Sequence, residues 1–209
     1  MTTTMPNNSK IEQFLQKLAP CIERGELEAC VEEAARVARE MGVGAGELLE
    51  LSTDERRNEK YSFAYVIALA AAQELEGGAK AQAYSYAGLA SQYAGNIQKA
   101  EEYYRKAIEA DPKYAERHSN YASLLEELNR NKEAEEQYQK AIEANPKDAE
   151  AHNNYANLLR EKAMFLEAEK EVRIALQIEP KDPYALGTYG DILADEDYLE
   201  EAIKNIMRR

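Results

Sequence analysis

Three prolines spaced 34 positions apart constrain this sequence more than any other feature. Pro112, Pro146 and Pro180 each close a similar stretch of residues. The stretches are residues 104–112 (YRKAIEADP), 138–146 (YQKAIEANP) and 172–180 (VRIALQIEP). A fixed period of this length is typical of repeat proteins, in which each repeat covers the apolar face of its neighbour. The register predicts repeats at 81–114, 115–148 and 149–182, then a shortened repeat at 183–209.

Each repeat has the residue pattern of two antiparallel helices. The second helix carries a small residue and a bulky residue four positions later, as in Ala100 and Tyr104, and spacings of three and four define one helical face. The first helix carries a large residue followed by a small one, as in Tyr121 and Ala122, although the first repeat has Ala87 and Gly88 there. Only 10 Gly and 6 Pro occur in 209 residues, which leaves little material for hairpin turns. The sequence therefore predicts an all-α fold of about twelve helices.

With these positions in place, residues 81 to 209 resemble the tetratricopeptide repeat family. The resemblance implies a right-handed superhelical solenoid whose concave groove, lined mainly by the first helices, binds a peptide or partner protein. Two residues depart from the family pattern: His118 and His152 stand where the family usually has Trp or another large residue.

The N-terminal third shows no clear repeat pattern. We expect a disordered tail at 1–8 and a helical region at 9–78, which is either a cap or a diverged repeat covering the apolar face of the first recognisable repeat. A separate small module with its own partner is the alternative. Within the region we expect a helix from Ser9 that breaks at Pro20 or after Gly25. Further helices are expected at 26–41 and 46–51, with a long one capped by Thr53 and running to residue 76.

Composition excludes several function classes. A formal net charge of −13 argues against nucleic acid or an anionic membrane as the main partner. The longest apolar run, 61–72, is too short to span a bilayer and predicts a buried helix. Cys21 and Cys30 have no metal-ligand spacing, and no signal peptide precedes them. We therefore expect two free thiols and a cytoplasmic location.

No catalytic, cofactor or metal site emerges from the motifs. His118 and His152 occupy equivalent positions in successive repeats, so stacked helices would hold them about 9 Å apart, too far to share one metal ion easily. We interpret both as core residues. No Ser-His-Asp or Cys-His arrangement is visible, and the glycines at 42–46 follow a helix rather than a strand. The sequence therefore predicts a protein that is not an enzyme.

The outward face of the first helices is polar and mostly acidic. From the spacing we expect the partner-binding groove to be lined by Tyr86, Tyr93, Glu116, Asn120, Glu127, Glu150, Asn153, Asn154, Asn157, Arg160, Glu161, Tyr184 and Asp191. Relatives that hold the C-terminal carboxylate of chaperones use a clamp of Lys, Arg and Asn on this face. Asn120 and Asn154 match the Asn positions of that clamp, but Ser85, Glu116 or Ser119, and Glu150 stand where its cations should be.

The sequence accordingly favours a non-enzymatic adaptor that binds an extended, basic protein segment, with Asn120 and Asn154 gripping its backbone. A self-assembling structural scaffold is the alternative, because the shortened last repeat leaves Ile203, Ile206 and Met207 poorly covered and could form a homo-oligomer through terminal helices. A regulatory part of a longer protein is a third possibility.

Overall fold

The fold is a series of antiparallel α-helices joined by short turns. The computed structural model describes residues 8–207, and the side chains of residues 9–196; the predicted disordered tail therefore lies outside the described residues, except that helix α1 begins at Asn8. Within the described range there are eleven helices and no strand, which confirms the predicted all-α class. The helices are α1 (Asn8–Glu23), α2 (Leu27–Met41), α3 (Ala45–Arg57), α4 (Tyr61–Glu74), α5 (Gly77–Tyr93), α6 (Ile97–Ala110), α7 (Ala115–Glu127), α8 (Asn131–Ala144), α9 (Ala149–Glu161), α10 (Phe165–Ile178) and α11 (Pro183–Met207).

The chain divides into two compact units. The N-terminal unit, Met1–Pro112, contains α1–α6, and the C-terminal unit, Lys113–Arg209, contains α7–α11. A single hydrophobic cluster runs through the N-terminal unit from Phe14 to Ala90. In the C-terminal unit, a cluster that includes Leu159, Val172 and Ile192 joins α9, α10 and α11.

One turn geometry recurs in both units. Five helix pairs are each joined by a turn in which one residue adopts a left-handed backbone, with φ between 57° and 78°; these residues are Gly25, Glu59, Gly95, Asn129 and Ala163. The next residue, the N-cap of the second helix, has φ near −90° in all five turns. Gly25 and Glu59 are 34 positions apart, as are Gly95, Asn129 and Ala163. The interpretation of residues 9–78 as a cap or a diverged repeat stays a prediction.

The repeat pattern is not visible in the sequence of α1–α4, because alanine stands where the later repeats have a bulky residue. Cys30 and Ala64 follow their turns at the distance at which Ala100 follows Gly95, and both are fully buried. Four residues later stand Ala34 and Ala68, whereas the later repeats have Tyr or Val there. Small side chains at these positions remove the large-residue half of the pattern without removing the helix packing.

The predicted helix boundaries in this region were partly wrong. Helix α3 continues through Thr53, whose hydroxyl donates to the Leu49 carbonyl within the helix (3.2 Å) instead of capping a new one. The break falls at Asn58–Lys60, where Glu59 takes the left-handed conformation. Helix α1 continues through Pro20 and ends at Glu23, which is close to the second of the two predicted break points. The expected buried helix over 61–72 is confirmed, since Ala64 to Ala72 are all buried in α4.

Cys21 and Cys30 form a disulfide that links α1 to α2. The expectation of two free thiols was therefore wrong. The Gly25 turn reverses the chain between the two helices and brings positions nine residues apart to a Cα–Cα distance of 5.7 Å, which suits a disulfide. The cytoplasmic location stays a prediction, without the support that free thiols would have given it.

The last helix differs from the predicted shortened pair. Helix α11 is continuous over Pro183–Met207. Asp197 stands 34 positions after Ala163, where the earlier repeats turn, but it lies within α11.

Candidate functional site in the C-terminal unit

A hollow of about 690 Å³ lies on the outward side of α9 and α11. Four residues of α9 at helical spacings of three and four form one wall, and the opposite wall comes from α11 and the loop before it. We call it the α9–α11 hollow. It is lined by Ala149, Glu150, Asn153, Asn154, Asn157, Glu179, Asp182, Pro183, Tyr184, Gly187, Thr188 and Asp191.

Helix α9 places these residues because its two faces have different partners. Ala149, Ala156 and Leu159 pack into the hydrophobic cluster with α10 and α11. Glu150, Asn153 and Asn157 repeat at i, i+3 and i+7 and therefore share one face of the helix, which is turned towards the hollow.

Polar contacts hold α11 against α9 beside the hollow. The amide of Asn157 donates to the hydroxyl of Thr188 (3.1 Å). The guanidinium of Arg160 bonds Asp191 (2.9 Å) and Asp195 (3.1 Å). Asp191, one of the carboxylates that line the hollow, is thus already paired within the protein, so the negative charge available to a ligand lies further along the hollow.

The described residues that line the hollow include four carboxylates and neither Lys nor Arg. Asp182 accepts hydrogen bonds from the backbone N–H groups of Tyr184 (3.2 Å) and Ala185 (3.0 Å) and so caps α11. Partial burial raises the pKa of Glu150 above its usual value, and the nearby carboxylates of Asp148, Glu116, Asp182 and Glu179 raise it further. The hollow therefore holds an excess of negative charge.

Several buried polar atoms on this side of the C-terminal unit lack a partner among the described residues. The side-chain oxygen of Asn153, the amide nitrogen of Asn120 and the hydroxyl of Ser119 make no hydrogen bond there. Asn153 is only 6% exposed. Because a buried polar group without a partner is costly, such atoms mark places where water or a ligand can bind.

The structure brings together the predicted groove residues of α9 and α11. Glu150, Asn153, Asn154, Asn157, Tyr184 and Asp191 all line the hollow, and Arg160 lies beside them. On α7, Glu116 and Glu127 are exposed and Asn120 is half-buried; Glu161 is exposed at the end of α9.

Tyr86 and Tyr93 lie on α5 in the N-terminal unit. Tyr86 lines a separate hollow between α3 and α5, and its hydroxyl accepts a hydrogen bond from Gln82 (3.0 Å). The Tyr93 ring stacks on Tyr61 (5.7 Å between ring centroids) and is contacted by the Arg56 guanidinium. Both rings therefore already have contacts within their own unit.

Three polar residues that line the hollow were not predicted from the sequence: Glu179, Asp182 and Thr188. Glu179 and Asp182 belong to the loop between α10 and α11, where helical spacing gives no indication of which way a side chain faces. One signal could have identified Asp182. Asp148, 34 positions earlier, also caps a first helix, accepting from the backbone N–H of Ala151 (3.1 Å).

The histidines are core residues, as predicted. His118 and His152 are 5% and 4% exposed. The Nδ1 atom of His152 bonds Glu171 (2.7 Å), and its Nε2 atom lies 3.2 Å from the Pro146 carbonyl oxygen. Among the described residues, no group of three or more His, Cys, Asp or Glu side chains is arranged to hold a metal ion. Nor does any described helix combine the length and apolar character needed to cross a membrane.

Stacked helix pairs with a polar hollow on the first-helix side define a helical repeat protein. Residues 93–158 match the sequence profile of the tetratricopeptide repeat family. These residues are therefore tetratricopeptide repeats, and the chain has the fold of tetratricopeptide repeat proteins. A search of curated proteins finds no match to the chain.

Solved structures agree on the fold. A tetratricopeptide repeat protein from Parabacteroides merdae ATCC 43184 is similar over 96% of this chain and 79% of its own, with 18% identity and a TM-score of 0.62. YrrB, described as having an unusual peptide-binding site, is similar over 88% of this chain and 97% of its own, with 19% identity and a TM-score of 0.57. The first such domain of Spaghetti (RPAP3), bound to the HSP90 peptide SRMEEVD, covers 57% of this chain and 94% of its own, with 23% identity and a TM-score of 0.54.

Proposed function

We propose that the chain is a non-enzymatic interaction module that binds an extended, basic segment of a partner protein along the first helices of its C-terminal unit. The observation that carries the proposal is the α9–α11 hollow, which combines a row of asparagines with four carboxylates, of which only Asp191 is paired with a cation among the described residues. Its size suits one or two side chains of a peptide rather than a whole folded domain.

Charge favours a basic segment. The RPAP3 domain binds an HSP90 peptide, SRMEEVD, that carries more acidic than basic residues. In this chain Ser85, Glu116 or Ser119, and Glu150 occupy the places where the family's carboxylate clamp would have cations. An acidic peptide would be repelled from such a face, whereas a Lys- or Arg-bearing segment would be attracted.

Asparagine side chains favour an extended backbone. Asn120 and Asn154 are 34 residues apart and both half-buried. An amide offers a donor and an acceptor, which matches the alternating groups of an extended chain. These contacts would be the same for any peptide sequence, so selectivity would come from the carboxylates.

Selection of peptides tests this function directly. A random dodecapeptide library displayed on phage and panned against the full chain should yield sequences rich in Lys or Arg that bind at about micromolar Kd. Replacing Asn120 and Asn154 together by Ala should weaken all selected peptides similarly. The paired control Gln98→Ala with Gln177→Ala alters exposed amides on α6 and α10 and should change nothing. Acidic selected sequences, or affinities indifferent to the asparagines, would contradict the proposal.

Self-assembly is a second candidate function. Leu166, Leu186 and Leu193 on α10 and α11 are 72%, 51% and 40% exposed, and exposed apolar side chains of this size favour association. The sequence predicted a poorly covered apolar face at Ile203, Ile206 and Met207, whose side chains lie outside the described residues. Sedimentation of the full chain up to about 1 mM would show a concentration-dependent mass if copies associate, whereas a constant monomer mass would remove this candidate.

A further inference from the structure

The carboxylates of the α9–α11 hollow differ in what they already bind. Asp191 is paired with Arg160, and Asp182 caps the backbone of α11. The carboxylate groups of Glu150 and Glu179 have no hydrogen bond or ion pair with any described residue. A ligand cation would therefore be drawn to the end of the hollow where α9 begins and α10 ends, rather than to Asp191.

The size and the donors of the hollow indicate what kind of cation it takes. No three carboxylates among the described residues are close enough together to hold a metal ion, and the volume far exceeds that of a bare ion. An ammonium or guanidinium group on a flexible stem fits better, because it can reach separated carboxylates through several N–H donors.

Two further residues complete such a site. Asn153 lines the hollow, is more than nine-tenths buried, and keeps a side-chain oxygen that no described residue satisfies. Tyr184 lines the same hollow and is 77% exposed, so its ring is available to cover an alkyl stem or the face of a guanidinium.

We propose that the α9–α11 hollow is the subsite for a single Lys or Arg side chain of the bound segment, with Glu150 and Glu179 holding the cation, Asn153 accepting one of its N–H groups and Tyr184 covering its stem. This assignment rests on the proposed function, since it supplies the group by which that segment is recognised. It also makes the hollow selective for one basic residue rather than for net positive charge.

Small probes test the subsite without knowledge of the partner. The 15N-labelled full chain is titrated with Nα-acetyl-lysine methylamide, the corresponding arginine and norleucine compounds, and spermidine, and the side-chain amide signals of Asn153, Asn154 and Asn157 are followed by NMR. The lysine or arginine compound should shift these signals with a Kd of about 1 to 10 mM, and comparison of the two identifies the preferred residue. The norleucine compound, which lacks the charge, should not shift them.

Variants sharpen the result. Glu150→Gln should weaken the basic probe about tenfold, the usual size of a charge-assisted hydrogen bond, whereas Glu136→Gln, on the exposed face of α8, should leave its Kd unchanged. Equal shifts by the norleucine compound, or insensitivity to Glu150→Gln, would overturn the subsite. If spermidine binds the hollow more tightly than the amino-acid probes, the proposal that the hollow takes a Lys or Arg side chain is contradicted.

The two proposals fail in different ways. If phage selection yields peptides whose binding shifts the asparagine signals while the basic probes do not, the partner-binding function stands and the cation subsite falls. If the basic probes bind but selection yields no peptide, the cation subsite is supported and the proposed function is contradicted.

Discussion

Two glutamates of the C-terminal unit differ in what their carboxylates bind. Glu126 on α7 accepts a hydrogen bond from the hydroxyl of Tyr138 on α8. Burial raises the pKa of Glu126 to about 6, with smaller contributions from the carboxylates of Glu161 and Glu127, while the bond from Tyr138 opposes the rise. Glu150, in the hollow, also has a raised pKa but no partner among the described residues. One carboxylate is therefore structural and the other is available to a ligand.

The Glu126 environment predicts a pH-dependent stability. The pKa of Glu126 is about 6 in the folded protein and near 4.5 in the unfolded chain, so the folded protein binds this proton more tightly. Proton binding at Glu126 therefore stabilises the fold fully below about pH 4.5, and this stabilisation is lost as the pH rises through about 6. Glu126→Gln keeps the acceptor without the charge. It should stabilise the protein by about 1 kcal/mol at pH 7.5, after allowance for partial exposure, and by nothing at pH 4.

Chemical denaturation at the two pH values measures this difference. Glu136→Gln, an exposed carboxylate of the next helix, serves as the control and should behave like the parent protein at both. A Glu126→Gln variant that is less stable than the parent at pH 7.5 would mean that the charge contributes more through Tyr138 than its burial costs.

Packing between two helices depends on the size of one small residue. Gly88 on α5 lies directly against the fully buried ring of Tyr104 on α6, and a Cβ placed there would be 2.8 Å from a ring carbon. Gly190 holds the equivalent position on α11, and a Cβ there would meet no atom within 4 Å. The same residue type is thus required in one helix and tolerated in the other.

These two glycines give a matched pair of predictions. Gly88→Ala should lower the free energy of unfolding by about 1 to 3 kcal/mol, because the rigid ring of Tyr104 must move. Gly190→Ala should raise it by about 0.5 to 1 kcal/mol, since alanine favours a helix where space is free. Urea denaturation of both variants measures the effect. A Gly88→Ala variant stabilised as much as the Gly190→Ala variant would show that α5 and α6 can move apart without cost.

The disulfide stabilises the first helix pair. Cys21 and Cys30 are nine residues apart, and closing a loop of that length restricts the unfolded chain by about 2 to 3 kcal/mol. Replacing both cysteines by Ala should lower the free energy of unfolding by about that amount, and dithiothreitol should destabilise the parent protein to a similar extent. The double variant, which has no thiols, is its own control and should not respond to dithiothreitol. A parent protein equally stable with and without reductant would contradict this prediction.

At the scale of the whole molecule, the boundary between the compact units does not coincide with the start of the recognisable repeats. Helices α5 and α6 form the first of those repeats, yet they belong to the N-terminal unit. Ala87 and Ala90 of α5 are part of the same hydrophobic cluster as Phe14 and Leu18 of α1. In addition, Tyr103 on α6 contacts Tyr65 on α4 edge to face, with ring centroids 5.6 Å apart. The first recognisable repeat therefore depends on α1–α4 for its core.

Removal of residues 1–78 should accordingly cause aggregation. The truncated chain would expose the sides of α5 and α6 that carry Ala87, Ala90 and Tyr103, and repeat arrays need such faces covered to stay soluble. Light scattering and circular dichroism of residues 79–209, beside the full chain in the same buffer, provide the measurement. A soluble fragment that unfolds with unchanged cooperativity would show instead that α1–α4 form an independent module.

The sequence alone determined the repeat period, the three helix pairs between residues 81 and 182, and the residues of α9 and α11 that share the polar face. Local rules suffice for these features, because helical spacing decides which side chains lie together and a recurring period decides which helices are alike. Only the tertiary structure showed that the turns after α1 and α3 have the geometry of the later turns, because Ala34 and Ala68 replace the bulky residues that mark the pattern. It alone joined Cys21 to Cys30, paired Arg160 with Asp191 and left Glu150 without a partner among the described residues. These facts depend on distances between helices, which no spacing along a single helix contains.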